Sequence, residues 1–194
     1  MVEIKIVGII PGRLASTRFP NKMLYSIFNR PMIEHVLKRA MLSQIIDEIY
    51  VATCDELIAK TVLNVGGKVI MTSSHHLNGT SRAAEAVKDI DCSHVILLLG
   101  DEPLLLPSHV NRFTEVIRQN PEVKAWKAVG PLDKVKSLRD PSIVKCVLGL
   151  EEQILHCFRK SPSISPSTHQ KRFIKKLLGM SAFRKDFLLG FEDL

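Results

Sequence analysis

Two groups of residues in this chain have the types and spacing to handle a polyphosphate. Arg13, Ser16, Thr17, Arg18 and Lys22 follow an apolar run, Ile6–Ile10, and the pair Pro11-Gly12. Small residues let backbone N–H groups approach phosphate oxygens, and Arg and Lys supply countercharge. Neither the Walker pattern nor Gly-x-Gly-x-x-Gly is present, so a connection whose charges are merely solvated stands as the alternative. The second group is Gly100-Asp101-Glu102-Pro103, directly after the apolar residues Ile96–Leu99. A carboxylate at the end of a buried strand suits Mg²⁺, which takes hard oxygen ligands and fills its shell from nucleotide and water. Capping of the following turn by Asp101 or Glu102 is the competing role.

A third stretch, Asn78-Gly79-Thr80-Ser81-Arg82, combines a turn, a helix start and an early arginine. Its free N–H groups suit an anion or a base edge, or it is a plain helix cap with a surface arginine. His75 and His76 lack a third ligand for a metal and read as polar loop residues. No Gly-x-Ser-x-Gly or Cys/His pairing supports nucleophilic catalysis, and Cys54 beside Asp55 reads as a packed thiol.

These stretches need elements to hold them. Ile4–Ile10 reads as a buried parallel strand. Pro31 opens a helix with Met32, Ile33, Val36, Leu37, Ala40 and Met41 on one face. Glu48–Thr53 is a second strand, and Asp55 caps a helix that stops at Gly66-Gly67. Lys68–Met71 is a third strand, and Thr80 begins an alanine-rich helix to Lys88. His94–Leu99 is a fourth strand, and Ser108 caps a helix with Val110, Phe113, Val116 and Ile117 inward. The alternation predicts an α/β fold with a doubly wound, mostly parallel (mixed) sheet. The loops at 11–22, 53–55, 72–82 and 100–103 leave carboxyl ends of strands, where such sheets gather ligands. Beyond Pro121 the pattern turns to strands, Val123–Val129, Ile143–Leu148, Gln153–Phe158 and Leu177–Phe183, with an exposed Ser/Pro-rich loop at 161–170 and a short helix from Lys185. The expected organisation is one domain over 1–194, with a nucleotide-binding core at 1–120 and a second part at 121–194.

The 194 residues carry a net charge of +7, which favours anionic partners. The basic tail has few aromatics and no nucleic-acid motif, so nucleic acid is not expected as a partner. Neither a bilayer-spanning run nor a secretory signal is visible, which makes cytoplasm the expected location and excludes membrane insertion. Four scattered cysteines read as free thiols, mostly buried.

Taken in order, Pro11–Lys22, Arg30–Ile33, Val51–Thr53, Gly66–Thr72, Asn78–Arg82 and Gly100–Pro103 closely resemble the sugar-acid cytidylyltransferases, most of all the branch acting on 3-deoxy-manno-octulosonate. The resemblance continues more loosely through Asp140–Lys145 and Leu178–Leu194. It implies a nucleotide-diphospho-sugar transferase-like (Rossmann-like) fold with a small β-rich appendage used for sugar binding and dimerisation. The implied reaction couples CTP to a 2-keto-3-deoxy sugar acid, giving a CMP-sugar and pyrophosphate with Mg²⁺, for cell-surface polysaccharide synthesis. Position by position, Arg13, Lys22 and Asp101 would be catalytic, with Asp101 on the metal. Pro11, Gly12 and Ser16 would hold the triphosphate beside them. Thr72, His76, Gly79, Thr80, Arg82 and Leu99 would line the cytidine and sugar side. A homodimer is implied as well. Leu99 stands where the family usually has glutamine, Met23 where it has proline, and Ser81 where it has an acid. The family's second metal-binding aspartate lies in a final segment beyond Leu194. Leu99 and that segment motivate the competing expectation of a relative that binds nucleotide with weakened or no turnover.

Overall fold

The computed structural model describes residues 4–15, 19–132, 135–160 and 173–190. The chain forms two compact units, Met1–Trp126 with Met180–Leu194, and Lys127–Gly179. The first opens with β1 (Ile6–Gly12), a 3-10 turn at Lys22–Leu24, and a small hairpin of β2 (Ser26–Ile27) and β3 (Arg30–Pro31). Then come α1 (Met32–Met41), β4 (Glu48–Thr53), α2 (Glu56–Leu63), β5 (Lys68–Met71), α3 (Gly79–Val87), β6 (His94–Leu97) and α4 (Pro107–Gln119). β7 (Ala125–Gly130) and β10 (Ile174–Arg184) each contribute residues to both units, β8 (Lys145–Leu148) and β9 (Ile154–Phe158) lie in the second, and α5 (Lys185–Leu189) belongs to the first.

The sheet of the first unit runs β5-β4-β1-β6-β10. β1 pairs in parallel with β4 and β6, β4 with β5, and Ser181–Arg184 of β10 runs antiparallel to β6. The expected mixed, mostly parallel sheet is therefore present. β1 is buried along its whole length, because a central parallel strand is covered on both faces. Val7 and Ile9 join Ala52, Val95 and Leu97 against Ala83, Ala84 and Val87 of α3 and Leu188 of α5. The alanines let α3 sit close to the sheet, and α1 lies beside α2 and α4.

Several local expectations shift. α4 starts at Pro107 with Leu106 before it, so Ser108 lies inside the first turn rather than capping it. Thr114 faces inward in place of Val116, its hydroxyl donating to the Val110 carbonyl at 2.9 Å. Met41 is half exposed at the end of α1. β6 stops at Leu97, two residues early, which lets the chain turn out toward Gly100. Of the free cysteines only Cys146 is fully buried, while Cys157 is exposed. The loop at 161–170 lies outside the described residues.

At the start of β6, His94 is buried, with its ring against Trp126, Ser93 Oγ at one nitrogen and the Pro121 carbonyl at the other. Burial pushes its pKa below the ordinary histidine value. The folded state thus binds fewer protons than the unfolded chain, so stability is lost as pH falls through the unfolded value toward the folded one. Thermal melts should show a lower midpoint at about pH 5.5 than at about pH 7.5, and His94→Gln should flatten that slope. An unchanged slope in the variant would assign the dependence to other groups.

The second unit holds the β8–β9 hairpin, with Ile174–Lys176 of β10 antiparallel to β8. Its small core is Leu132, Leu138 and Ile174, with Ile143, Val147 and Phe158 packed on it. Lys145 is fully buried there, and its ammonium donates to the carbonyls of Asp140, Ile143 and Arg159 at 2.7, 2.9 and 2.5 Å. Three carbonyls replace the water such a group gives up on burial.

Candidate functional site

The carboxyl ends of β1, β5 and β6 open onto one hollow of about 290 Å³. Pro11, Gly12, Arg13 and Ala15 come from the end of β1, and Lys22 and Met23 from the 3-10 turn. His76 and Asn78 come from the β5–α3 connection, Gly79 and Arg82 from the first turn of α3, and Leu99, Gly100 and Asp101 from the loop after β6. The structure thus brings together nine of the expected residues: Pro11, Gly12, Arg13, Lys22, His76, Gly79, Arg82, Leu99 and Asp101. Ser16 lies outside the described residues. Thr72 and Thr80, expected to line the cytidine and sugar side, do not line the hollow: Thr72 Oγ1 accepts from Arg82, and the Thr80 N–H donates to the Asn78 cap of α3.

The two β1-side loops are tied down by bonds that propensity does not reveal. Asp55 sits at the N-cap position of α2 but makes no side-chain cap bond there. Its carboxylate instead accepts from the Leu14 N–H at 2.8 Å, anchoring the cationic loop. The Cys54 thiol donates to the same carboxylate at 3.6 Å, so it is a packed neighbour as expected. Asn21 takes a left-handed conformation, φ 57°, and its N–H donates to Leu14 at 3.1 Å, which starts the turn that presents Lys22.

Lys22 and Asp101 meet across the hollow, with Nζ 2.5 Å from Oδ2. A cation and a carboxylate from two loops, 79 positions apart, therefore face the same space. Arg13 is exposed, and its Nη1 donates to the His76 carbonyl at 3.2 Å.

α3 corrects two readings. Asn78 accepts from the N–H groups of Thr80 and Ser81, both at 2.9 Å, so these amides serve the cap rather than an anion. Arg82 is not a surface residue: it is 2% exposed, and its Nη1 donates to Thr72 Oγ1 at 2.5 Å and to the Ser73 carbonyl at 3.2 Å. Its Nη2 is the one buried side-chain polar atom without a partner among the described residues. A buried donor left unpaired costs about 1–3 kcal/mol, and a guanidinium more.

The loops touch at Pro11. A Cβ on Gly79 would lie 2.9 Å from Pro11 Cγ, and one on Gly100 would lie 3.1 Å from the Pro11 carbonyl oxygen and 3.0 Å from Met23 Sδ. A side chain at 79 would force the proline ring to shift, and one at 100 would need Met23 and the Pro11 backbone to give by a few tenths of an ångström. Met23 is buried between the loops, where a flexible thioether fills the gap. Ala15 and Met23 were missed as site residues because neither carries a polar signal.

A larger hollow, about 820 Å³, opens at the opposite edge of the sheet beside His94, Arg184 and Leu189. Three of its charged groups are already paired. Arg184 pairs with Asp186, whose carboxyl it holds down at about 2, and Lys185 donates to the Lys88 and Ile90 carbonyls. Chemistry therefore points to the smaller, polar hollow.

A model of the cytidylyltransferase family matches residues 7–194. The chain is 36% identical to a 3-deoxy-manno-octulosonate cytidylyltransferase of Geobacter metallireducens, over 98% of this chain and 79% of that protein. It is 33% identical to the protein of the same name from Escherichia coli, over 98% and 76%. Among solved structures it is similar to a CMP:2-keto-3-deoxy-manno-octonic acid synthetase complexed with CTP, with a TM-score of 0.90 and 33% identity, covering 98% of this chain and 78% of that one.

Proposed function

Because this chain belongs to the cytidylyltransferase family, we propose that it joins CTP to a 2-keto-3-deoxy sugar acid of the 3-deoxy-manno-octulosonate kind. The observation that carries the reading is the shared hollow of Arg13, Lys22, Arg82 and Asp101 at the carboxyl edge of a parallel sheet. In the reaction the anomeric hydroxyl of the sugar attacks the α-phosphorus of CTP. A new P–O bond forms, the bond to the bridging oxygen breaks, and pyrophosphate leaves. Little covalent work falls to the protein; it orients the two anions and balances charge that spreads over the phosphate oxygens.

Arg13 and Lys22 are suited to the triphosphate, one as a fork and the other as a point charge. Arg82 lines the hollow, and its bonds to Thr72 and Ser73 would hold the turn beside the bound substrates. Leu99, 36% exposed in the wall, offers an apolar surface where the resemblance implies glutamine, so the pocket should favour a less polar group at that point of the ligand.

Magnesium is the implied cofactor. Among the described residues no three His, Cys, Asp or Glu side chains gather into a metal cage. The donor set suits an ion that arrives with phosphate oxygens and takes a single protein carboxylate, Asp101. Bound there, Mg²⁺ would supply charge neutralisation at the α-phosphate. Asp101→Asn should cut turnover by about a hundredfold or more and remove the effect of Mg²⁺ on CTP affinity in calorimetry. Turnover within threefold of the parent would take Asp101 out of the metal's shell.

The finer parts of the reading are a homodimer, which rests on the resemblance, and the cytoplasmic location expected from the sequence. Among the described residues no helix is long and apolar enough to cross a membrane. The deciding assay is pyrophosphate release from CTP with several keto-sugar acids. Release that requires both substrates supports the enzyme; CTP binding without release would make the chain a nucleotide-binding relative.

A further inference from the structure

Glu85 lies on α3 three residues beyond Arg82, on the same helix face, and does not line the hollow. Its two carboxylate oxygens accept from the Ser73 N–H at 3.1 and 3.0 Å, and the His76 ring bonds to one of them. Arg82 grips the same turn through Thr72 Oγ1 and the Ser73 carbonyl. Residues 72–76 are therefore clamped twice from one helix. The far side of the clamped turn is the His76 carbonyl, which holds Arg13.

We infer that Glu85 is a positioning residue: it fixes the turn so that His76 orders Arg13 beside the hollow. This role rests on the reading of the hollow as the site of nucleotide binding. The electrostatics agree with the geometry. Burial alone would raise the Glu85 carboxyl, but hydrogen bonds from His76 and Ser73, with the Arg82 charge nearby, outweigh it and hold its pKa below the ordinary value. The carboxylate thus stays charged at neutral pH. Its side chain is one third exposed, so removing it leaves the core intact.

The test is a double-mutant cycle on the full chain with Glu85→Ala, Arg13→Ala and the pair, read as kcat/KM for CTP and as CTP affinity by calorimetry. Each single change should cost about tenfold, and the pair should cost about the same as the larger single, because both break one line of bonds. Glu85→Gln, which keeps an acceptor for Ser73, should recover part of the loss. A hundredfold loss in the pair, or no loss in Glu85→Ala, overturns the proposal. A readout that needs no ligand separates this from the functional reading: the ¹⁵N order parameter of Arg13 Nε in the free protein. It should fall in Glu85→Ala, and an unchanged value overturns the positioning role even if the parent binds no CTP. A parent that neither binds nor turns over CTP overturns the functional reading alone.

Discussion

Lys22→Ala will slow pyrophosphate release from CTP and the sugar acid by about a hundredfold. One cation about 4 Å from a developing charge contributes roughly 4 kcal/mol at an effective dielectric near 20. The Lys22 side chain is 26% exposed, so solvent screens part of that. About 2.7 kcal/mol is left, and each 1.36 kcal/mol is a factor of ten. The loss should fall mainly on kcat, since the charge that Lys22 meets grows toward the transition state. Lys22→Arg should recover part of it, limited by a guanidinium too wide for a compact ammonium's place. A change under threefold would remove the lysine from the chemistry.

Arg82→Lys comes second, with an expected rise of about 10- to 100-fold in KM for CTP or the sugar acid. The substitution keeps the charge and loses the planar fork, so the bonds to Thr72 and Ser73 beside the hollow cannot both be replaced. Hydrogen bonds to charged groups contribute about 1.5–3 kcal/mol, which sets that range. Whichever substrate's KM moves is the one whose oxygen the guanidinium meets. A KM within twofold of the parent for both substrates, with a lower melting temperature, would make Arg82 a clamp for the 72–76 turn and nothing more.

Most of the architecture can be read directly from the residues. β4 and β5 fall where their apolar runs predict, because both are short and bounded by clear turn signals. The four loops do leave carboxyl ends, since parallel pairing forces that polarity, and three of them line the hollow while the loop at 53–55 does not. What escaped depends on contacts between distant residues. The β2–β3 hairpin turns on Phe28 and Asn29, both at positive φ, with no glycine to announce it. Asp55 has the look of a helix cap and in fact anchors Leu14, 41 positions earlier. Arg82 looked like a surface charge because its acceptors, Thr72 and Ser73, lie in a loop whose path no local pattern reveals. The Glu85 clamp has a faint signal, an acid three positions from an arginine on one helix, but its targets in the turn are invisible until the chain folds.

The close approach at Pro11 has an evolutionary meaning. Gly79 presses on the proline ring, while Gly100 presses on the proline's carbonyl and on Met23. A bulkier residue at 79 survives only after the proline ring has yielded, and one at 100 only where Met23 and the Pro11 backbone give by a few tenths of an ångström. Across homologous chains positions 11 and 79 should change together or stay still, while exposed leucines such as Leu104 and Leu77 drift independently.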